Sequence, residues 1–163
     1  MAAPPPADAP AVRPGRPEDA EVAAALLASL AGEHGLDRPL LTAAAWRRQG
    51  FGPKRLFEPL IAELGGRPAG IALLTRGYDS QTAQGGVVLE DLYVEPLSRR
   101  RGVGRALLAA VARIAKEEGG GWVAWHVRRD NVRAQLFYRS LGAESEPVDL
   151  MAVAGEDFDR LTG

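Results

Sequence analysis

A strand followed by an arginine-rich loop and an amphipathic helix is the part of this sequence that most limits its fold. The apolar run VVLEDLYV occupies residues 87–94, and the pattern after the loop repeats Val103, Leu107, Val111 and Ile114 on one helical face. The pattern therefore changes from that of a strand to that of a helix within one short segment. A strand that passes directly into a helix with one apolar face indicates a sheet covered by helices, which is the α/β class.

The rest of the chain continues this alternation. Apolar runs predict further strands at 11–13, 57–64, 69–75, 122–127 and 148–153, and helical spacing predicts helices that begin near Glu18, Thr42, Gly102 and Val132. Between the second and third strands, the GGRP sequence predicts a hairpin turn, and residues 78–86 read as a polar loop. The order β-α-α-β-β-β-α-β-α-β predicts a single α/β domain over residues 11–163, a mixed twisted sheet flanked by helices. Residues 1–10 are almost entirely Pro and Ala and are expected to form a flexible tail.

Composition excludes several classes of protein. The 163 residues include no cysteine and only two histidines, which excludes a disulfide framework and a thiolate nucleophile and argues against a metal site. No apolar run approaches the ~20 residues of a membrane span. The start MAAPPPADAP lacks the basic and apolar regions of a secretory signal. We therefore expect a cytoplasmic protein that binds neither metal nor membrane.

The charge is unevenly distributed along the chain. Residues 97–139 carry ten Lys or Arg against three acids, a local balance of +7, whereas the whole chain has a net charge of −1. The remainder must then carry −8. A basic segment in a nearly neutral protein predicts that one stretch faces an anion, and it argues against a protein that coats nucleic acid.

The loop before the central helix has the features of an anion site. Arg99, Gly102 and Gly104 lie where the loop becomes the helix, and Arg100, Arg101 and Arg105 surround them. Glycines let backbone N–H groups approach a ligand, and the first amides of a helix have no partner inside it, so a pyrophosphate would be bound well there. A solvated arginine loop at an ordinary helix start is the alternative. A Walker loop is excluded because no Gly-Lys-Ser/Thr follows.

A second feature pairs Asn131 with Tyr138. Positions seven apart lie on one helix face, so Asn131 at the N-cap and Tyr138 point the same way. A phenol in that place could supply a proton as a general acid. Alternatively, Phe137 and Tyr138 are core aromatics with one hydroxyl at the edge.

Together these features resemble the GNAT superfamily of N-acetyltransferases. Its acetyl-CoA signature, Gln/Arg-x-x-Gly-x-Gly/Ala after a strand, is matched by Arg99, Gly102 and Gly104. Its later Asn-x-x-Ala-x-x-Phe-Tyr-x-x-x-Gly motif is matched by Asn131, Ala134, Phe137, Tyr138 and Gly142. The segments LEDLYVEP and WHVRRDNVRAQLFYRSLGA are similar to the corresponding sequences of the diamine and thialysine (spermidine/spermine-type) branch. Two departures are Arg100, where a glycine is usual, and a C-terminal segment without the branch's aromatic residues, which leaves the substrate open.

The resemblance implies direct transfer of acetyl from acetyl-CoA, as co-substrate, to a primary amine of a small molecule such as a diamine or an amino acid side chain. In this reading Glu90 is the base, Glu90 and Asp91 bind the amine, and Tyr138 protonates the departing thiolate. Strict strand alternation would place Glu90 and Asp91 on opposite faces unless a bulge intervenes. The cofactor-binding residues are expected to be Leu92, Tyr93, Val94, Arg99, Arg100, Arg101, Gly102, Val103, Gly104, Arg105, Asn131 and Tyr138.

Other readings remain open at this level. A protein, peptide or aminoglycoside amine could be the acceptor, and a catalytically idle fold could bind CoA as a sensor module. The acceptor is expected to be set by residues 36–57, the 78–86 loop and the last strand. Exposed strand edges also predict a homodimer, and the resemblance to the GNAT superfamily implies the same.

Overall fold

A computed structural model describes residues 9–36 and 41–163 of the chain. Most of the expected tail, residues 1–8, and part of the expected acceptor segment, 37–40, lie outside the described residues. The chain divides into two compact units, the first ending at His126 and the second running from Val127 to Gly163.

In its described residues, the first unit contains five strands and three α-helices. They are β1 (Ala11–Pro14), α1 (Ala20–Glu33), α2 (Ala43–Phe51), β2 (Glu58–Leu64), β3 (Arg67–Asp79), β4 (Gln84–Val94), α3 (Val103–Glu117) and β5 (Trp122–Trp125). Short 3₁₀ turns, Pro17–Asp19 and Pro96–Ser98, precede α1 and follow β4. The second unit contains α4 (Val132–Arg139) and α5 (Glu156–Thr162).

The strands form one sheet in the order β1-β2-β3-β4-β5. The first four are antiparallel neighbours, and β5 lies parallel to β4. A parallel pair needs a crossover connection, which α3 supplies. The predicted α/β class with a mixed sheet is confirmed.

The two faces of the sheet are covered by different helices. On one face, Ile71 and Tyr93 are buried in a cluster with Ala23 and Leu27 of α1 and with Trp46 of α2. Neighbouring strand residues point to opposite faces, so the position next to Ile71 faces the other side. A Cβ built there, at Gly70, would lie 3.1 Å from Val103 Cγ1 and 3.2 Å from Leu107 Cδ1 of α3. Glycine at position 70 therefore lets α3 pack directly on the backbone of β3.

The hairpin between β2 and β3 is tighter than the predicted four-residue turn. Only Gly65 and Gly66 lie outside the strands, with φ of 58° and 73°. Positive φ at both central positions is the conformation of a two-residue type I′ turn, for which glycine is favoured.

The prediction of a polar loop over 78–86 is wrong. Strands β3 and β4 continue through it, with Tyr78 opposite Gly85, and only residues 80–83 form the turn. The ring of Trp122 covers the Gly77–Gly86 pair, since a Cβ at Gly86 would lie 2.2 Å from it. An aromatic ring from a strand 36 residues away stabilises this glycine pair, and no local pattern reveals such a contact.

The prediction of a last strand at 148–153 is also wrong. Residues 143–154 have no regular structure, and the chain instead ends in the unpredicted helix α5. Val148, Leu150 and Met151 are exposed. Alternating apolar residues mark a segment that could pair, but a strand also needs a ladder partner, and no described strand provides one. None of the described helices is long and apolar enough to cross a bilayer.

Candidate active site at the open edge of β4

The second half of β4 has a strand neighbour on one side only. The β4–β5 ladder ends at the pair Leu89–Trp125, whereas the β3–β4 ladder continues to the pair Gly70–Val94. In the described part of the chain, residues 90–94 therefore have β3 on one side and no strand on the other. The backbone N–H groups that point to this open edge have no strand partner there and could be bound by a ligand.

The direction of the backbone amides follows from one hydrogen bond. The N–H of Glu95 donates to the carbonyl of Ala69 at 3.0 Å, so the backbone N–H of residue 95 points towards β3. Along an antiparallel strand, the N–H and C=O of successive residues point alternately to one side and the other. The N–H and C=O of Tyr93 therefore also point towards β3. By the same alternation the N–H groups of Leu92 and Val94 point to the open edge.

A β-bulge lies where the edge opens. In the β3–β4 register Leu73 is opposite Asp91 and Leu74 is opposite Leu89, which leaves Glu90 as an extra residue. A bulge resets the alternation of side chains along the strand. Asp91 lies on the Leu73 face, and the Thr75 hydroxyl, two residues along on that face, donates to Glu90 Oε1 at 2.6 Å. The two carboxylates therefore share one face of the sheet.

The Asp91 carboxylate lies in a mainly apolar place. It contributes to a cavity of about 50 Å³ whose other lining residues are Leu27, Leu30, Ala31, His34 and Leu41. Burial and the negative charge of Glu90 raise the pKa of Asp91 above its ordinary value, and the nearby His34 partly opposes this rise. Neither Glu90 nor Asp91 forms an ion pair with any residue that the structure describes. Two adjacent carboxylates without an ion-pair partner are electrostatically unfavourable, and a positively charged ligand would relieve their repulsion.

The predicted anion loop has the expected backbone. Gly102 is the N-cap of the 15-residue helix α3 with a φ of 84°, and Arg100 has a φ of 60°. The first helical hydrogen bond is donated by Ala106 to the Gly102 carbonyl. The amides of Val103, Gly104 and Arg105 therefore belong to the first turn, which has no acceptors inside the helix and carries the positive end of the dipole.

Arg99 is placed differently from the expectation that it faces an anion. Its Nε donates to the Val94 carbonyl at 2.9 Å, and its Nη2 pairs with Glu33 at the end of α1. Its guanidinium also lies over the Tyr93 ring, 5.7 Å from the centroid. The side chain of Tyr93 is in the core, and its N–H points towards β3. Among the three predicted strand residues, Leu92 and Val94 are therefore the ones whose N–H groups point to the open edge.

The other two predicted residues belong to the second unit. Asn131 Oδ1 accepts the N–H of Ala134 at 3.1 Å and so caps α4, as predicted. Tyr138 is half-buried on α4, and burial raises the pKa of its hydroxyl. The phenol is therefore protonated at neutral pH, and the raised pKa makes it a weaker acid than an exposed tyrosine.

Sequence reasoning missed the contribution of α1. His34 and Glu33 lie at its C-terminal end, one beside Asp91 and the other on Arg99. Both contacts join residues more than 50 positions apart, and neither residue belongs to a motif. The pattern of α1 gave no signal beyond its apolar face.

Comparison with known proteins identifies the family. A sequence model described as the acetyltransferase (GNAT) family matches residues 53–143, more than half of the chain. The chain belongs to the GNAT acetyltransferase family. The prediction of an N-acetyltransferase enzyme is confirmed by this match and by the relatives that follow.

Two curated relatives have names that specify amine acetylation. A thialysine N-epsilon-acetyltransferase from Bos taurus is 31% identical over 138 residues, covering 78% of this chain and 81% of the relative. An L-ornithine N5-acetyltransferase from Arabidopsis thaliana is 36% identical over 97 residues, covering 60% of this chain. The matched part spans only 40% of the plant enzyme's own length.

Solved structures share the fold at low identity. An integron cassette protein from the mobile metagenome of V. cholerae has a TM-score of 0.81 at 18% identity, covering 94% of this chain and 98% of its own. A ribosomal-protein-alanine N-acetyltransferase from Brucella melitensis has a TM-score of 0.74 at 20% identity, covering 90% of this chain and 100% of its own. These similarities support the GNAT fold alone.

Proposed function

We propose that this protein transfers acetyl from acetyl-CoA to a primary amine of a small cationic molecule. The observation that carries the proposal is the pair of carboxylates, Glu90 and Asp91, on one face of β4 where its open edge begins. A negative pocket beside free backbone donors suits a cationic nucleophile that attacks a carbonyl.

The described residues fit acetyl-CoA as the co-substrate. The amides of Val103, Gly104 and Arg105 at the positive end of α3 are suited to a diphosphate, and Arg100 and Arg101 add positive charge in the same loop. The outward amides of Leu92 and Val94 are suited to the pantetheine and thioester part. When bound, acetyl-CoA supplies an acyl group already activated as a thioester.

The acids of β4 prepare the amine. A free primary amine has a pKa near 10.4, so it arrives protonated and must lose a proton before it can attack. Glu90 is the exposed carboxylate and is proposed to accept that proton, directly or through water. Asp91, which is more buried, is proposed to bind a positive group of the acceptor.

Attack on the thioester carbonyl places negative charge on its oxygen. An N–H at Leu92 or Val94 would stabilise that oxygen, and one such donor contributes roughly 3 kcal/mol. The departing thiolate then needs a proton, and Tyr138, whose pKa is raised by burial, is the proposed donor. Its role in this chain is carried over from the GNAT motif.

The relatives suggest which amines to test. Their names specify the side-chain amines of thialysine and ornithine, which are amino acids with a flexible chain between two amines. The His34–Asp91 cavity is small, about 50 Å³, and its walls are mainly leucine and alanine. A short aliphatic chain with a second positive charge fits such a place better than a bulky sugar or a folded protein.

Release of CoA thiol over an amine panel tests the proposal. The panel contains ornithine, thialysine, lysine, a diamine, a polyamine, an aminoglycoside and a peptide, with acetyl-CoA alone as the blank. We expect turnover with the small flexible amines and an acetylated product of the corresponding mass. Binding of CoA without turnover on any amine would favour the sensor module instead.

The expected homodimer stays a prediction. Light scattering on the eluted protein measures its mass directly. A mass of about 35 kDa corresponds to two copies of the 17.3 kDa chain.

A further inference from the structure

Arg99 connects three parts of the first unit. Its Nε holds the carbonyl at the end of β4, its Nη2 pairs with the last residue of α1, and its plane covers the Tyr93 ring. Only 23% of the side chain is exposed. Nε and Nη2 lie on one edge of the guanidinium, so that edge and one face of the group are directed at the protein.

The Val94 contact fixes a backbone direction. In an extended strand the N–H and C=O of one residue point to the same side, so a donor that holds the Val94 carbonyl also orients its N–H. That N–H is one of the two amides at the open edge of β4. Shifts of about 1 Å at a reacting group can cost on the order of 100-fold in rate.

The Glu33 contact holds the other wall of the site. Glu33 is followed directly by His34, which lines the cavity beside Asp91. The ion pair between Arg99 and Glu33 therefore ties the end of α1 to the end of β4. One side chain thus fixes the proposed thioester edge and the proposed acceptor cavity relative to each other.

We propose that Arg99 is a positioning residue, which orients the Val94 amide and holds α1 against Asp91 through Glu33. This inference rests on the proposed function. It assigns to Arg99 a contribution to the rate of acyl transfer and not to the affinity for the coenzyme. It also assigns a functional role to Glu33, which lies far from Arg99 in the sequence.

Alanine at position 33 provides the sharpest test, with Glu117→Ala as the matched control. Glu33 and Glu117 are the last residues of α1 and α3, so removing either acid has the same effect on a helix dipole. We expect Glu33→Ala to lower kcat about tenfold with a Kd for acetyl-CoA unchanged within twofold, and Glu117→Ala to change neither. Arg99→Ala should lower kcat similarly, the double variant should lose little more, and Arg99→Lys should recover part of the loss.

The amide resonance of Val94 supplies a readout that does not depend on turnover. It should shift in Glu33→Ala and Arg99→Ala and stay in place in Glu117→Ala. A Glu33→Ala variant identical to Glu117→Ala in both kcat and this resonance would overturn the inference, as would an Arg99→Ala whose only effect is weaker acetyl-CoA binding. If Arg99→Ala does not fold, Glu33→Ala decides alone. An inactive wild-type protein contradicts the proposed function, whereas the resonance still tests the positioning role.

Discussion

Glu90 and Asp91 are consecutive residues of a strand, yet their carboxylates lie on the same face of the sheet. Asp91 is opposite Leu73, and Glu90 accepts a hydrogen bond from Thr75, which is on the Leu73 face. The bulge at Glu90 is the cause, because it removes one step of the alternation. Both carboxylates therefore face the same side, where the proposed function has them act on one amine, and Glu90 is the more exposed of the two.

Replacing Glu90 by Gln tests the proposed base. The amide keeps the size of the side chain and can still accept the Thr75 hydrogen bond, but it cannot take a proton. We expect kcat/KM for the amine to fall by about 100-fold or more, with acetyl-CoA affinity unchanged. Steady-state kinetics at pH 7.5 measure this, with Glu146→Gln as a control on the exposed surface. Equal activity of the two variants would remove Glu90 from the reaction.

Replacing Asp91 by Asn separates stability from binding. Its pKa is raised in the folded state, so as pH rises the unfolded state loses this proton first and the native state loses stability. We expect the asparagine variant to melt about 2 °C higher at pH 7.5, while its KM for the amine rises about tenfold. The thermal advantage should shrink as the pH falls towards 3.8, the ordinary value for this group. A destabilised variant at pH 7.5 would contradict the assignment.

Replacing Tyr138 by Phe tests the proposed acid. The ring keeps its contact with Phe137, and only the hydroxyl is lost. We expect kcat to fall about 100-fold while CoA binding is kept. Tyr78→Phe is the matched control, because that side chain is 70% exposed on the β3–β4 hairpin. A Tyr138→Phe variant with the wild-type kcat would exclude the phenol as the proton donor.

Alanine at Gly102 tests the loop through its backbone. Gly102 and Gly119 flank the two ends of α3 with φ of 84° and 77°. A Cβ at Gly102 would lie 3.7 Å from Pro10 Cγ, an ordinary contact, and one at Gly119 would have no neighbour within 4 Å. Each alanine variant should lose roughly 1 kcal/mol of stability, since a left-handed conformation is strained for L residues. Only Gly102→Ala should also raise the KM for acetyl-CoA. Denaturant unfolding and kinetics on both variants show whether the loop has a role beyond folding.

Patterns among neighbouring residues predicted those helices, strands and caps that have a characteristic periodicity or capping residue in their own sequence. The change from a strand pattern to a helix pattern after residue 94, the helix that begins near Thr42 and the N-cap at Asn131 are all predicted from neighbouring residues, and the structure confirms them. The candidate anion loop could be predicted in the same way, because its glycines precede a strongly amphipathic helix.

The features that were predicted wrongly or missed depend on contacts between residues that are far apart in the sequence. The 78–86 segment is strand because Trp122 covers its glycine pair, and 148–153 is irregular because no strand pairs with it. The bulge at Glu90 could only be considered as a possibility, since register is a property of two strands. The direction of Arg99 depends on Glu33, 66 residues earlier.

Calorimetric titration of acetyl-CoA into the wild-type protein and Gly104→Glu tests the central claim most directly. Gly104 is in the first turn of α3, where a carboxylate would repel a diphosphate. We expect one site per chain in the wild type and an affinity at least tenfold weaker in Gly104→Glu. No heat of binding in the wild type, or equal affinity of the two proteins, would contradict it.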